Sequence, residues 1–209
     1  MIWSPKPVWE GLDAYIIGGG TSLRTFDWGL LADTNTIGCN AAFMLGHRTC
    51  KVCMFVDAKF CLKYEQNLAS FGGLVVTNNE ALKSSKHSWV LWMARKDRGL
   101  HKSAIGYNES CGASAINLAL ILGARRVFLL GMDLSLDDRG RQNWHTHGLD
   151  KPSKEIFPRF VRGFGQVAHD LPRVFPGRQV INVNDNSRLK CFPTQTIEQH
   201  FGSMCNGTE

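Results

Sequence analysis

Ala14-Tyr15-Ile16-Ile17-Gly18-Gly19-Gly20-Thr21-Ser22-Leu23 is the stretch that decides the fold. Four residues of strand character run straight into three glycines and two hydroxyl residues, the way an α/β protein ends its first strand beneath a phosphate. Glycine lets backbone N–H groups turn toward an anion with no Cβ in the way. Ligands of open α/β sheets sit at the carboxyl ends of the strands, so polar residues that close other apolar runs are expected to converge on this loop. The loop lacks the third glycine of a dinucleotide fingerprint and the lysine of a P-loop. The second apolar run also ends in Asn40, where a ribose-binding carboxylate is expected, so NAD and P-loop ATPase chemistry are disfavoured.

Outward from the loop, strand-like runs fall at 36–39, 51–56, 74–77, 88–93, 126–130 and 179–183, and they close in Asn40, Asp57, Asp133 and Asn184 among others. Helical patterns lie between them. A short helix is expected over 22–31, a helical turn over 41–45 and a helix over 59–68. The clearest unit opens at Ser110-Cys111-Gly112, carries Ala115, Ile116, Leu118, Ala119, Ile121 and Leu122, and is closed by Gly123 as a C-cap. The apolar residues Phe157, Phe160, Val161, Phe164, Val167, Ala168 and Leu171 mark an amphipathic helix over 153–171, with Pro158 near its start. Strands alternating with helices predict a mostly parallel sheet covered on both faces, a Rossmann-like three-layer α/β/α domain. Residues 1–13, with two prolines and two tryptophans, read as an extended arm, and 14–209 as one domain.

Length and composition agree with that reading. The 209 residues are 44% apolar and 20% charged, which fits a globular chain with a full core. No apolar run approaches the length of a membrane span, and the N-terminus lacks the apolar stretch of a secretory signal, so a cytoplasmic protein is expected. Seven cysteines, an odd number placed mostly in strand-like or helix-like segments, argue for a reducing compartment. Cys50 and Cys53 have a metal-like spacing. The period-two alternation of Lys51-Val52-Cys53-Met54-Phe55-Val56 makes that segment a buried strand instead. The net charge of +6 is spread thinly. Its densest stretch, Arg95, Lys96, Arg98, His101 and Lys102, reads as a solvated loop or as a polyanion patch, within a segment to Asn108 that is expected to be a lid or disordered.

The residues able to carry chemistry are Gly18, Gly19, Gly20, Thr21, Ser22, Asn40, Asp57, Ser110, Cys111, Gly112 and Asp133, gathered at one edge by the predicted fold to bind a nucleotide. Asn40, Asp57 and Ser110 serve equally well as helix caps when taken singly. Asn-Trp-His-Thr-His-Gly, residues 143–148, supplies the candidates for proton transfer, His145 and His147, in a polar loop after a strand-end aspartate. No metal site is expected.

Three segments together, 16–23, 37–40 with 53–57, and 110–133, resemble the bacterial CMP-sialic acid sialyltransferases that act on lipooligosaccharide. They also resemble the related superfamily that includes the archaeal-type 6-hydroxymethylpterin diphosphokinase, and compact phage-encoded members have the same look. The resemblance implies that Gly18, Gly20 and Ser22 line the nucleotide phosphate and ribose, that Asn40 and Asp57 lie near the nucleotide, and that Ser110, Cys111 and Gly112 approach it from a helix N-terminus. It also implies a histidine base after the Leu-Gly-Met-Asp strand, at His145 or His147. Gly19 and Asp57 stand where the sialyltransferases carry asparagines. The tyrosines that hold the departing phosphate have no evident counterpart, since only Tyr15, Tyr64 and Tyr107 exist.

The function expected is a nucleotide-dependent transferase, a glycosyltransferase using a nucleotide-activated sugar, CMP-linked or other, with no obligatory metal. Two alternatives stay open: an ATP-dependent pyrophosphokinase in which Asp57 and Asp133 hold Mg2+, and a non-enzymatic nucleotide-binding protein. The expected partners are the nucleotide or nucleotide-sugar and an acceptor that is a glycan, a small alcohol or modified DNA, with assembly into a homo-oligomer left open.

Overall fold

A computed structural model describes residues 2–83, 87–147 and 153–205; Met1, Gly148 and Lys151 lie outside the described residues, as do 206–209. Its seven-stranded sheet is formed by β1 (Asp13–Ile17), β2 (Thr36–Cys39), β3 (Val52–Phe55), β4 (Leu74–Thr77), β5 (Val90–Trp92), β8 (Arg126–Leu130) and β9 (Gln179–Asn182), in the order β5-β4-β3-β2-β1-β8-β9. Every neighbouring pair is parallel. The expected Rossmann-like α/β fold is therefore present. Two short strands, β6 (Arg95–Lys96) and β7 (Ile105–Gly106), form a separate parallel pair.

Alternation along the strands builds the layers, because successive side chains point to opposite faces. Ala14, Ile16, Val52, Met54, Val127 and Leu129 face one core. It is covered by α3 (Cys111–Ile121) and α4 (Phe157–Val174). The opposite face carries two smaller cores. One joins Cys53 and Phe55 to Phe60 and Leu68 of α1 (Ala58–Lys63) and α2 (Glu65–Ala69). The other joins Tyr15, Ile17 and Leu130 to Leu31 and to Phe201 of α5 (Ile197–Cys205). Helix α3 is buried at ten of its eleven positions, as its small and aliphatic composition requires of a helix lying against a sheet. The arm reaches this core too: Trp9 is buried in it, and its N–H donates to Leu122 O at 2.7 Å.

Several local expectations are corrected. The helix expected over 22–31 is two 3₁₀ turns, Thr21–Leu23 and Trp28–Leu31, because Asp27 accepts from Gly29 N–H and restarts the chain. The helix expected over 59–68 breaks at Tyr64, which leaves helical geometry at φ −116° and ψ 22°. The amphipathic helix begins at Phe157 after a 3₁₀ turn, Lys154–Ile156, and continues through Pro172. The polar segment to Asn108 is pinned to the domain. Asn117 bonds both His101 backbone groups and Gly106 N–H, while Asn108 closes on Gly99. Arg95 stacks on Tyr107 with its guanidinium carbon 3.8 Å from the ring centre.

Cys50 and Cys53 sit fully buried, each thiol donating to a backbone carbonyl, Val52 O and Asn40 O. Burial pushes the Cys50 thiol up to about 12. No helix of the described residues is long and apolar enough to cross a membrane.

Candidate active site

Strand order places the site. From β1 the chain steps outward through β2, β3, β4 and β5, then returns to the other side of β1 as β8. The loops after β1 and β8 therefore leave the sheet at the point where the order reverses, and a crevice opens between them. A cleft of about 530 Å³ lies there, lined by Gly18, Gly19, Gly20, Asn40, Asp57, Ser110, Cys111, Gly112, Asp133, His145 and His147 among others. Eleven of the thirteen expected residues thus meet in one cavity. Thr21 and Ser22 are not among its lining residues.

The reason is Asp133. Its carboxylate accepts from Ser22 N–H at 2.8 Å, Ser22 Oγ at 2.5 Å, Thr21 Oγ1 at 3.4 Å and Asn184 Nδ2 at 2.8 Å. Both hydroxyls and Asn184 are turned onto this buried acid, which ties the ends of β1, β8 and β9 together. The glycines owe their missing side chains to the same packing. A Cβ on Gly18 would meet Gly131 O at 2.5 Å, one on Gly19 would meet Asn143 Oδ1 at 2.4 Å, and one on Gly20 would meet the Asp133 carboxylate at 2.3 Å. Gly18 and Gly20 N–H groups bond Leu130 O and Gly131 O. In residues 18–22, only the N–H groups of Gly19 and Thr21 have no partner among the described residues.

Three of the four non-glycine residues with positive φ among the described residues line this cleft: Asn40 (52°), Glu109 (59°) and Leu134 (52°). Left-handed backbone is tolerable for asparagine and costly for a branched residue such as leucine, and it concentrates where surrounding structure must hold a functional geometry. Asn40 is exposed and its side chain makes no hydrogen bond with a described residue, so its amide is available to a ligand. Asp57 is the N-cap of α1, accepting from Lys59 N–H at 2.8 Å. Ser110 is the N-cap of α3, yet its hydroxyl makes no capping bond although the residue is 8% exposed. Cys111 donates its thiol to Met54 O.

The histidine loop is clamped to the glycine loop. Trp144 donates its backbone N–H to Gly19 O at 2.8 Å and its indole N–H to Gly18 O at 3.0 Å, and Tyr64 donates its hydroxyl to His147 O at 2.9 Å. The two imidazole rings lie 6.0 Å apart. Burial, with His147 nearby, pushes His145 down to about 4. His145 Nδ1 accepts from His147 N–H at 3.2 Å, so in the neutral ring the proton sits on Nε2. His145 presents a donor, not a lone pair. His147 is exposed on the cleft wall and bears no such constraint on its ring.

Residues that sequence reasoning did not single out are Glu109, Leu134 and Arg159, all on the cleft wall. Nothing in local periodicity marks them. Among the described residues no group of three or more His, Cys, Asp and Glu side chains is placed to hold a metal ion.

The fold is similar to that of the sialyltransferase CstII from Campylobacter jejuni. Against its complex with a substrate analogue, cytidine-5'-monophosphate, the TM-score is 0.55 at 14% identity, over 88% of this chain and 84% of that one. Against its complex with CMP-3FNeuAc the TM-score is 0.50 at 13% identity, over 88% and 85%. No family model matches the chain, and no curated protein matches it.

Proposed function

We propose that the chain is a nucleotide-dependent transferase, a glycosyltransferase that takes its sugar from a nucleotide-activated donor with His147 as general base. The observation that carries the reading is a single cleft at the reversal point of a parallel sheet, lined by both the glycine loop and the histidine pair. The likeness to CstII bound to CMP supports it at the level of the fold. The nucleotide phosphate lies against the glycine loop and the N-terminus of α3, where backbone N–H groups and the helix dipole favour negative charge.

In the reaction, His147 takes the proton of an acceptor hydroxyl. The acceptor oxygen forms its bond to the anomeric carbon while the bond from that carbon to the phosphate oxygen breaks. The electron pair leaves with the nucleotide, and the centre inverts. His145, neutral at pH 7, donates from Nε2. Asn40 and Asp57 bind the nucleoside portion. The pyrophosphokinase alternative assigns magnesium to Asp57 and Asp133. Those residues fit a cation poorly as arranged, since the Asp133 carboxylate is spent on four hydrogen bonds from the chain and Asp57 caps α1.

A thermal-shift screen with CMP, CDP, UDP, GDP, ADP, ATP and their sugar conjugates, each with magnesium and with chelator, tests this. Ligand at about 100 times Kd stabilises the native state by about 2.7 kcal/mol, a rise of about 5–10 °C for a domain of this size. A chelator-insensitive rise names the donor base. A rise confined to ATP with magnesium selects the pyrophosphokinase, and none with any compound removes the nucleotide site.

A further inference from the structure

The cleft wall contains one permanent cation among the described residues, Arg159. It stands in the first turns of α4, four residues before Gly163, and so on the same helix face. Gly163 is pressed against the chain just before α3: a Cβ there would meet Asn108 O at 1.8 Å. That contact fixes the Arg159 face of α4 beside Glu109 and Ser110.

The carboxylates around it already have partners of their own. Glu109, whose side chain is 10% exposed, pairs with Arg98 and lies 3.8 Å from Arg162. Asp133 is saturated by Ser22, Thr21 and Asn184, and Asp57 caps α1. Arg159 makes no ion pair and no hydrogen bond with any described residue; its guanidinium carbon lies 5.8 Å from the centre of the Phe160 ring. His145 adds no positive charge at pH 7. Arg159 is solvent-exposed where it lines the cleft, and an unpaired guanidinium there is free to bind an oxyanion through parallel N–H donors.

The geometry points to Arg159 as the residue that binds the oxyanion of the donor, either the phosphate of the nucleotide or a carboxylate on the transferred sugar. The inference rests on the nucleotide-binding reading above and adds a residue and a ligand group to it. As the phosphate contact, Arg159 neutralises the negative charge that grows on the leaving group. As the carboxylate contact, it selects an acidic sugar.

Calorimetric titration of wild type, Arg159→Gln and Arg159→Lys tests it, with CMP, UMP, GMP and AMP, their parent nucleosides, and CMP-3FNeuAc. Loss of one charge-assisted contact weakens binding roughly 10- to 100-fold. A loss of that size in R159Q for a nucleoside monophosphate, with its nucleoside unaffected and R159K intermediate, supports the phosphate. A loss seen for CMP-3FNeuAc alone supports the carboxylate. Equal affinities in wild type and R159Q, or an equal loss for nucleoside and nucleotide, overturn the proposal while leaving the nucleotide site standing. If no probe binds wild type, the proposal falls together with the reading it rests on.

Discussion

Asp133 shows how one side chain sets the shape of the site. Its two oxygens receive four donors from two other strand ends, two on each oxygen, and two of those donors would be left facing an NH2 group if the carboxylate became an amide. Asp133→Asn is expected to cost about 1–3 kcal/mol, read as a lower Tm, and to weaken nucleotide binding because the glycine loop loses its tether. An unchanged Tm would mean that the loop is held elsewhere. The histidines divide the chemistry in the same local way. With its Nδ1 occupied, His145 is a poor base, so His147→Asn should lower kcat roughly 10²- to 10⁴-fold and His145→Asn much less. The reverse order would reassign the base to His145.

At the scale of elements, α4 is positioned by what it lacks. Gly163 lets the helix touch the Asn108 backbone, whereas Gly165, two residues on and so on the opposite side of the helix, has nothing within 4 Å of where a Cβ would stand. Gly163→Ala must push backbone against backbone and is expected to cost about 1–3 kcal/mol. Gly165→Ala should instead stabilise by about 0.5–1 kcal/mol, the usual gain of alanine over glycine in a helix. Urea unfolding of the two variants reads both signs, and similar midpoints would show that α4 is not seated through Gly163. The break between α1 and α2 has a parallel use. By ending α1, Tyr64 aims its hydroxyl at His147 O. Tyr64→Phe should lower kcat with little change in KM, since it loosens a positioned base and removes nothing that binds donor.

Over the whole molecule, acid sensitivity follows from two histidines held neutral by burial. His145 is lowered to about 4, and His200, buried beside Tyr15 and Gln195, is lowered as well. Between about pH 6.5 and pH 4 the unfolded chain takes up protons that the folded sites refuse, so stability is full above the ordinary histidine pKa and falls as pH drops through this window. Thermal melts at pH 7, 5.5 and 4.5 should show that decline, and His145→Gln should flatten it; an equal slope in the variant would place His145 in contact with water. The sequence by itself determined the seven strands of the main sheet, because apolar alternation is local and survives any tertiary context. It determined the parallel order of strand and helix and the strand-end residues that meet at the cleft. Tertiary structure alone decided the rest. β6, β7 and α5 lack a periodic signature strong enough to read. Ser22 and Thr21 turn from the cleft onto Asp133, more than a hundred residues away in sequence, and Gly18 is required by the backbone of Gly131 on another loop. Such contacts belong to pairs of distant residues, and no window of sequence contains both members.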